Sequence, residues 1–191
     1  MNKILFVNCC VRPQSRTLVL AKCLLQNLNE PHDEIDVTDG GVKPVDCSAL
    51  ERRNAKVAQG DYSDAMFDLA KQFASAQTIV VAAPFWDLSF PSFLKIYFEN
   101  ILVSGLTFTY QSGKPQGLCN AKRLYYVTTA GGAAFPDFGF AYVQSVFKNF
   151  FGVDEAVCFK AEGLVIVGND AELILDRAKK QICEFFQRNR A

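Results

Sequence analysis

A loop near the start of the chain combines hydroxyl and guanidinium side chains. Arg12, Ser15, Arg16 and Thr17 follow an apolar run, residues 3–8, and lead directly into a pattern of helical spacing. The first N–H groups of a helix have no intrahelical partner and carry partial positive charge, which stabilises a phosphate placed there. The loop therefore predicts a phosphate site, with the alternative that Ser15 or Thr17 only caps the helix.

A second segment is rich in aromatic side chains and proline. Phe85 and Trp86, the only tryptophan, stand between Pro84 and Pro91. Proline restricts the backbone, and the aromatic rings offer a flat apolar wall. Such a wall suits a planar ring system, unless these side chains simply pack beneath the loop.

A third segment, residues 128–132, reads Thr-Thr-Ala-Gly-Gly after another apolar run. Paired glycines let the backbone approach a ligand closely and direct N–H groups at its acceptor oxygens. Taken alone, the pair indicates no more than a turn. Its place after a strand, like that of the other two segments, is what makes it a candidate ligand site.

Other kinds of site are poorly supplied. His32 is the only histidine and lies away from the three segments, and the seven cysteines include no Cys-x-x-Cys pair. We therefore expect no metal site, no catalytic triad and reduced thiols, as in a cytoplasmic protein. With 20 basic and 20 acidic residues, we expect neither nucleic acid nor membrane as a partner.

The elements that must position these segments alternate between strand and helix. Apolar runs predict five strands, of which the second has the charged alternation of an edge, at residues 3–8, 34–38, 78–83, 124–129 and 154–161. Apolar stripes of helical period separate the strands and close the chain. We expect one α/β domain over residues 1–191: a flavodoxin-like, doubly wound parallel sheet of five strands in the order 2-1-3-4-5, with helices on both faces. Residues 106–121 fit as an inserted hairpin or lid.

This topology brings the three segments together. They follow the first, third and fourth strands, and parallel strands of such a sheet end at one edge, where ligands bind. The ligand would have a phosphate at one end and a planar ring system at the other. FMN fits that description.

Four motifs support a more specific interpretation. They are Ser15-Arg16-Thr17, PFWDLSFPSFLKIYFENIL (84–102), GLTFTYQSGKPQGL (105–118) and TTAGG (128–132). In their order and spacing the chain resembles the flavodoxin-like NAD(P)H dehydrogenase (quinone) family, and within it the bacterial FMN-dependent NADH-azoreductases.

The resemblance implies an enzyme that reduces quinones or azo compounds by ping-pong hydride transfer, with FMN as cofactor, or FAD as the alternative, and NADH or NADPH as donor. It implies a homodimer with the active site at the subunit interface, and flavin N5 rather than a side chain as the reacting group. The implied substrate-side residues are Phe108 and Tyr110. From the three segments and the resemblance together, the expected cofactor-binding residues are Cys9, Arg12, Ser15, Arg16, Thr17, Pro84, Phe85, Trp86, Asp87, Leu88, Thr128, Thr129, Ala130, Gly131 and Gly132.

The chain departs from the azoreductase pattern at two places. Trp86-Asp87 stands where Tyr-Asn is usual, and Cys9-Cys10 where the loop is usually rich in serine. These differences leave the cofactor class intact and bear on substrate preference. Two other functions stay open at this point: a flavodoxin-type electron carrier and a flavin-free regulatory domain.

Overall fold

The computed structural model describes residues 3–189. Its seven strands are β1 (Ile4–Asn8), β2 (His32–Asp36), β3 (Thr78–Ala82), β4 (Phe108–Gln111), β5 (Lys114–Gly117), β6 (Arg123–Thr129) and β7 (Glu155–Ala161). Five of them form the main sheet in the order β2-β1-β3-β6-β7, with every neighbouring pair parallel. The predicted order 2-1-3-4-5 is therefore confirmed.

Helices cover both faces of the sheet. They are α1 (Arg16–Leu28), α2 (Cys47–Ala58), α3 (Asp68–Ser75), α4 (Ser92–Ile101), α5 (Phe138–Val146) and α6 (Ala171–Arg188). α5 continues as a π-helical segment, Phe147–Phe151. Apolar side chains of α1 and α6 form the core on one face, and those of α3, α4 and α5 form the core on the other. None of the helices described between residues 3 and 189 is long and apolar enough to cross a membrane.

The edge strand β2 begins and ends two residues earlier than predicted. It pairs with β1 from Ile4 opposite His32 to Asn8 opposite Asp36. It stops there because the Asp36 carboxylate accepts hydrogen bonds from the backbone N–H and the hydroxyl of Thr38, at 2.8 and 2.7 Å, which turns the chain away. Its residues are exposed or half-buried, as an edge strand requires.

The helix α2 spans 12 residues of a polar region between β2 and β3. The Asp46 carboxylate caps it by accepting a hydrogen bond from Ala49 N at 2.8 Å. None of its residues is buried. Apolar periodicity therefore gave little signal here, since that signal comes from a buried face.

The insert is a hairpin of β4 and β5 at the amino end of the main sheet. Ser112 and Gly113, with φ of 51° and 76°, form its tight turn. The chain after it is tied to the segments preceding β3, since Lys122 N donates to Gln77 O at 3.1 Å. Gly117 packs so closely on the Phe151–Gly152 backbone that a Cβ would collide with it. The hairpin thus lies at the opposite end of the sheet from the three candidate loops.

Candidate functional site

The three loops line one cavity at the carboxyl ends of the strands. Its volume is about 560 Å³, within the usual range for a small-molecule site. The lining residues are Arg12, Gln14, Ser15, Arg16, Thr17, Pro84, Phe85, Trp86, Thr129, Ala130, Gly131, Leu164 and Val165. Ten of these thirteen belong to the residues predicted from the sequence, so the expected convergence of the loops is present in the fold.

One end of the cavity has features that favour an anion. α1 begins there with Arg16 and has no acidic residue in its first turn. Ser15 caps the helix by accepting from Leu18 N at 3.3 Å, while the N–H groups of Arg16 and Thr17 have no intrahelical partner. Two arginines and no carboxylate are among the residues that line the cavity. The capping alternative for Ser15 and the anion site are therefore compatible.

A hydroxyl pair joins α1 to the end of β6 at the cavity wall. Thr17 Oγ1 and Thr129 Oγ1 lie 2.6 Å apart. Thr17 has no exposed surface, whereas Thr129 is 8% exposed. One hydroxyl donates to the other, and the proton of the accepting hydroxyl stays available. The Thr17 hydroxyl is therefore held by Thr129, which is the more exposed of the two at the cavity wall.

We expect Thr129→Val to destabilise the protein by about 1–3 kcal/mol, because it leaves the buried Thr17 hydroxyl without a partner. Thr17→Val should cost about 1 kcal/mol, since Thr129 can bond to cavity water. The double variant should be no less stable than Thr129→Val alone, because no orphaned hydroxyl is left. Urea unfolding of the four proteins measures these costs. Simple addition of the two single costs would contradict the pairing.

The aromatic end of the cavity rests on a tight turn with unusual backbone geometry. Trp86 N donates to Ser89 O at 3.1 Å, and Ser89 N donates to Trp86 O at 2.8 Å. Between them Asp87 and Leu88 have φ of 50° and 65°, a left-handed conformation that costs energy for residues other than glycine. The carbonyl of Leu88 also accepts from Phe138 N at 2.9 Å. This bracing holds the turn and leaves the N–H groups of its two central residues outside the turn's hydrogen bonds.

The rings of Phe85 and Trp86 are not part of the aromatic core. Both side chains are half-buried, and both line the cavity. The aromatic ring pairs within residues 3–189 involve neither of them. The alternative that these aromatics only pack beneath the loop is thus not favoured, because both border the cavity and neither is fully buried.

The loop after β7 forms a fourth wall of the cavity, which was not predicted from the sequence. Leu164 N donates to Ala130 O at 3.2 Å, and Val165 N donates to Gly131 O at 2.9 Å. Gly131 permits this approach, since a Cβ there would lie 2.8 Å from a methyl group of Val165. The loop also anchors Arg16, whose guanidinium donates to Leu164 O at 3.4 Å. Its position after the fifth strand was the only available signal, because leucine and valine suggest no chemistry.

Five of the predicted cofactor-binding residues do not line the cavity. Asp87, Leu88 and Gly132 adjoin lining residues. Cys9 and Thr128 were expected at the cavity, but both side chains are buried on the sheet face opposite α1. Side chains alternate along a strand, and these two positions point away from the face that carries the cavity. Burial raises the pKa of Cys9 to about 12, so this thiol is no nucleophile.

Phe108 and Tyr110 do not approach the cavity of their own chain. Phe108 is buried against Phe150, with ring centroids 5.2 Å apart. Tyr110 lies on the inserted hairpin and is 60% exposed. Since the hairpin is at the other end of the sheet, these residues can reach such a cavity only in another copy of the chain.

The arrangement can bind and orient a ligand but supplies little acid–base chemistry. His32 lies on β2, with its ring against Phe6. No cluster of metal-binding side chains occurs in the part of the chain that the structure describes. A reaction at this site would therefore depend on a bound reactive group, for which the cavity offers cationic and hydroxyl groups at one end and flat rings at the other.

Known proteins match the chain along nearly all of its length. A family model described as flavodoxin-like fold matches residues 2–186. A Clostridium acetobutylicum protein named FMN-dependent NADH:quinone oxidoreductase 2 is 32% identical over 202 residues, covering 97% of this chain and 100% of that protein. A Pseudomonas fluorescens protein of the same name is 30% identical, covering 96% and 99%.

Solved structures agree with this. An FMN-dependent NADH-azoreductase from Bacillus anthracis, in complex with FMN, superposes with a TM-score of 0.82 at 25% identity and covers 98% of this chain and 99% of its own. An azoreductase from another strain of that species has a TM-score of 0.84 at 23% identity, covering 98% and 100%, and shows the same fold.

Proposed function

Because the chain belongs to the flavodoxin-like fold family, matched over residues 2–186, we propose that it is an FMN-dependent oxidoreductase that uses NADH or NADPH to reduce quinones or azo compounds. The observation that carries this proposal is the cavity itself. It has a cationic helix terminus at one end and the half-buried rings of Phe85 and Trp86 at the other. Relatives that are named for FMN and for NADH:quinone or azo reduction support the same activity.

The residues present fit FMN. Arg12, Arg16 and the first N–H groups of α1 would hold the phosphate, since helix N-termini and guanidinium groups both favour that charge. The Thr129 hydroxyl lies beside them. Trp86 and Phe85 would hold the ring system, and the free N–H groups of Asp87 and Leu88 lie at the same end of the cavity.

Bound FMN supplies reversible two-electron exchange at N5, through which a nicotinamide and a quinone can react in turn. The protein would orient the flavin and shield it from solvent. The braced turn of residues 86–89 fixes the wall of the ring site, and the ladder between residues 130–132 and 163–165 closes the side of the cavity. No side chain needs to transfer a proton within the protein, which agrees with a cavity lined by no histidine and no carboxylate.

We also propose that the active protein is a homodimer in the cytoplasm. Exposed apolar side chains flank the cavity, among them Leu88, Phe138 and Val165, at 44, 60 and 70% exposure. Apolar surface at such a rim is typical of an interface. A second copy would cover it and would bring its Tyr110 over the cavity as a substrate contact. All seven cysteines are free thiols, which supports a reducing compartment.

Tyr110→Ala should raise the KM for a quinone by about 10-fold with little change in FMN binding. The matched control is Gln111→Ala, also exposed and on the same hairpin. In a second experiment, Tyr110→Ala subunits are co-expressed with subunits that lack the Arg12 and Arg16 charges. Random pairing makes about half of the dimers mixed, and each mixed dimer has one intact site of its two. Activity at low quinone concentration should therefore return to about a quarter of the native value. Activity no higher than the average of the two parent variants would contradict the shared site.

The proposed activity is tested by following the flavin through both half-reactions. The purified protein should be yellow, and NADH added without oxygen should bleach its visible band. A quinone added after removal of the nicotinamide should restore the band, as a ping-pong sequence requires. A colourless protein that cannot be reloaded with FMN would contradict the proposal, and exchange of single electrons with a protein partner but not with quinone would favour a carrier.

A further inference from the structure

Two thiols meet on neighbouring helices, away from the cavity. Cys23 is on α1 and Cys183 is on α6, and both helices pack on the same face of the sheet. The side-chain amide of Asn27 lies between the two sulfurs, with Nδ2 3.8 Å from Cys23 Sγ and 3.5 Å from Cys183 Sγ. Both sulfurs therefore contact the same amide nitrogen, which places the two thiols close together. Both side chains are half-buried, so a small oxidant can reach them.

The other five cysteines are not arranged in this way. Cys9 and Cys10 are adjacent in sequence but pack into opposite cores. The Cys47 thiol is exposed and faces Glu51. Cys119 donates to the carbonyl of Thr107 at 3.4 Å, and Cys158 packs against the core on the sheet face opposite α1. Cys23 and Cys183 are singled out because one side-chain amide contacts both sulfurs, although they come from distant parts of the chain.

We propose that Cys23 and Cys183 form an intramolecular disulfide when a hydroperoxide oxidises the protein. One thiol, as its thiolate, attacks a peroxide oxygen, which breaks the O–O bond and gives a sulfenic acid and the first water or alcohol. The second thiol then attacks that sulfur, forms the S–S bond and releases water. The two thiols together lose two protons and two electrons, and the peroxide takes them up.

The surroundings of the two thiols determine how fast they react and whether the reaction affects the cavity. Burial raises the pKa of Cys23, and the nearby Lys179 opposes that effect. The Cys23 thiol is thus held mainly in the neutral form, and we expect it to react with peroxide slowly. Cys23 lies about one helical turn beyond the first turn of α1, which lines the cavity. Oxidation of the pair should therefore not displace a bound flavin.

A disulfide at this position would clamp the first helix to the last. It would close a loop containing most of the chain, which restricts the unfolded state strongly. We expect the midpoint of thermal unfolding to rise by about 5–15 °C on oxidation and to return on reduction.

The experiment uses the flavin-loaded protein, kept in the dark, with Cys47→Ser to remove the exposed thiol. After treatment with hydrogen peroxide and alkylation of the remaining thiols, trypsin should release the peptide 181–188 linked to the peptide that begins at Cys23. The mass of the whole protein should fall by two hydrogen atoms, and dithiothreitol should restore it. The thermal midpoint is measured before and after reduction.

Cys183→Ser, or Cys183→Ala should the serine variant fail to fold, should abolish the link and leave a sulfenic acid on Cys23 that dimedone traps. Links between other cysteines, or overoxidation of single thiols without a link, would overturn the proposal. So would a link with an unchanged or lowered thermal midpoint, because it would mean that the helices separate before the bond forms. All of these outcomes are independent of whether the protein reduces quinones.

Discussion

Replacing Arg12 and Arg16 together by glutamine should weaken FMN binding by about 100-fold and leave riboflavin binding nearly unchanged. A hydrogen bond to a charged group contributes about 1.5–3 kcal/mol. Both arginines are exposed residues, so the lower value applies to each, and about 3 kcal/mol is lost in all. Riboflavin lacks the phosphate and should be insensitive to these charges.

Fluorescence titration of the apoprotein with each flavin measures both effects. Lys22→Gln is the matched control, since Lys22 is an exposed cation farther along the same helix and should leave both affinities unchanged. The native affinity for FMN should also fall with added salt, and the variant should show a weaker dependence. Equal losses for FMN and riboflavin would mean that the arginines support the fold of the cavity and do not bind the phosphate.

Trp86→Ala should weaken the binding of FMN and of riboflavin alike, by about 10- to 100-fold. An aromatic face in contact with a planar ring contributes about 1–3 kcal/mol in comparable stacking sites. The Trp86 side chain is half-buried and makes no ring pair within residues 3–189, so its loss should cost less stability than that of a core aromatic residue. Flavin fluorescence measures the affinity, and thermal unfolding of the apoprotein measures the stability.

Trp86→Phe is the control for this prediction, because it keeps a flat ring on the same backbone. It should retain most of the affinity for both flavins. A large loss of FMN affinity with riboflavin affinity unchanged would place Trp86 at the phosphate end. That result would contradict the assigned direction of the ligand in the cavity.

The loops could be predicted from the sequence because their convergence is a property of topology. Once strands of parallel type alternate with helices, the segments after neighbouring strands must meet at one edge. It is harder to predict which face of the sheet a single side chain points to. Cys9 and Thr128 follow or end strands and were expected in the cavity, but the alternation of the strand turns them to the opposite face.

Two other features had no local signal. Asp87 and Leu88 are neither glycine nor asparagine, so nothing in their types predicts a turn with positive φ at both positions. The turn exists because the backbone bonds between Trp86 and Ser89 and the bond from Phe138 N impose it. Similarly, Cys23 and Cys183 are brought together only by the packing of the first and last helices, which no local pattern records.

The central claim, that FMN lies against the aromatic wall, is tested most directly through the intrinsic fluorescence of the protein. Trp86 is the only tryptophan, so its emission reports on this one position. Titration of the apoprotein with FMN should quench most of that emission and saturate at one FMN per chain. Failure of FMN to bind, or saturable binding that leaves Trp86 emission unchanged, would contradict the claim.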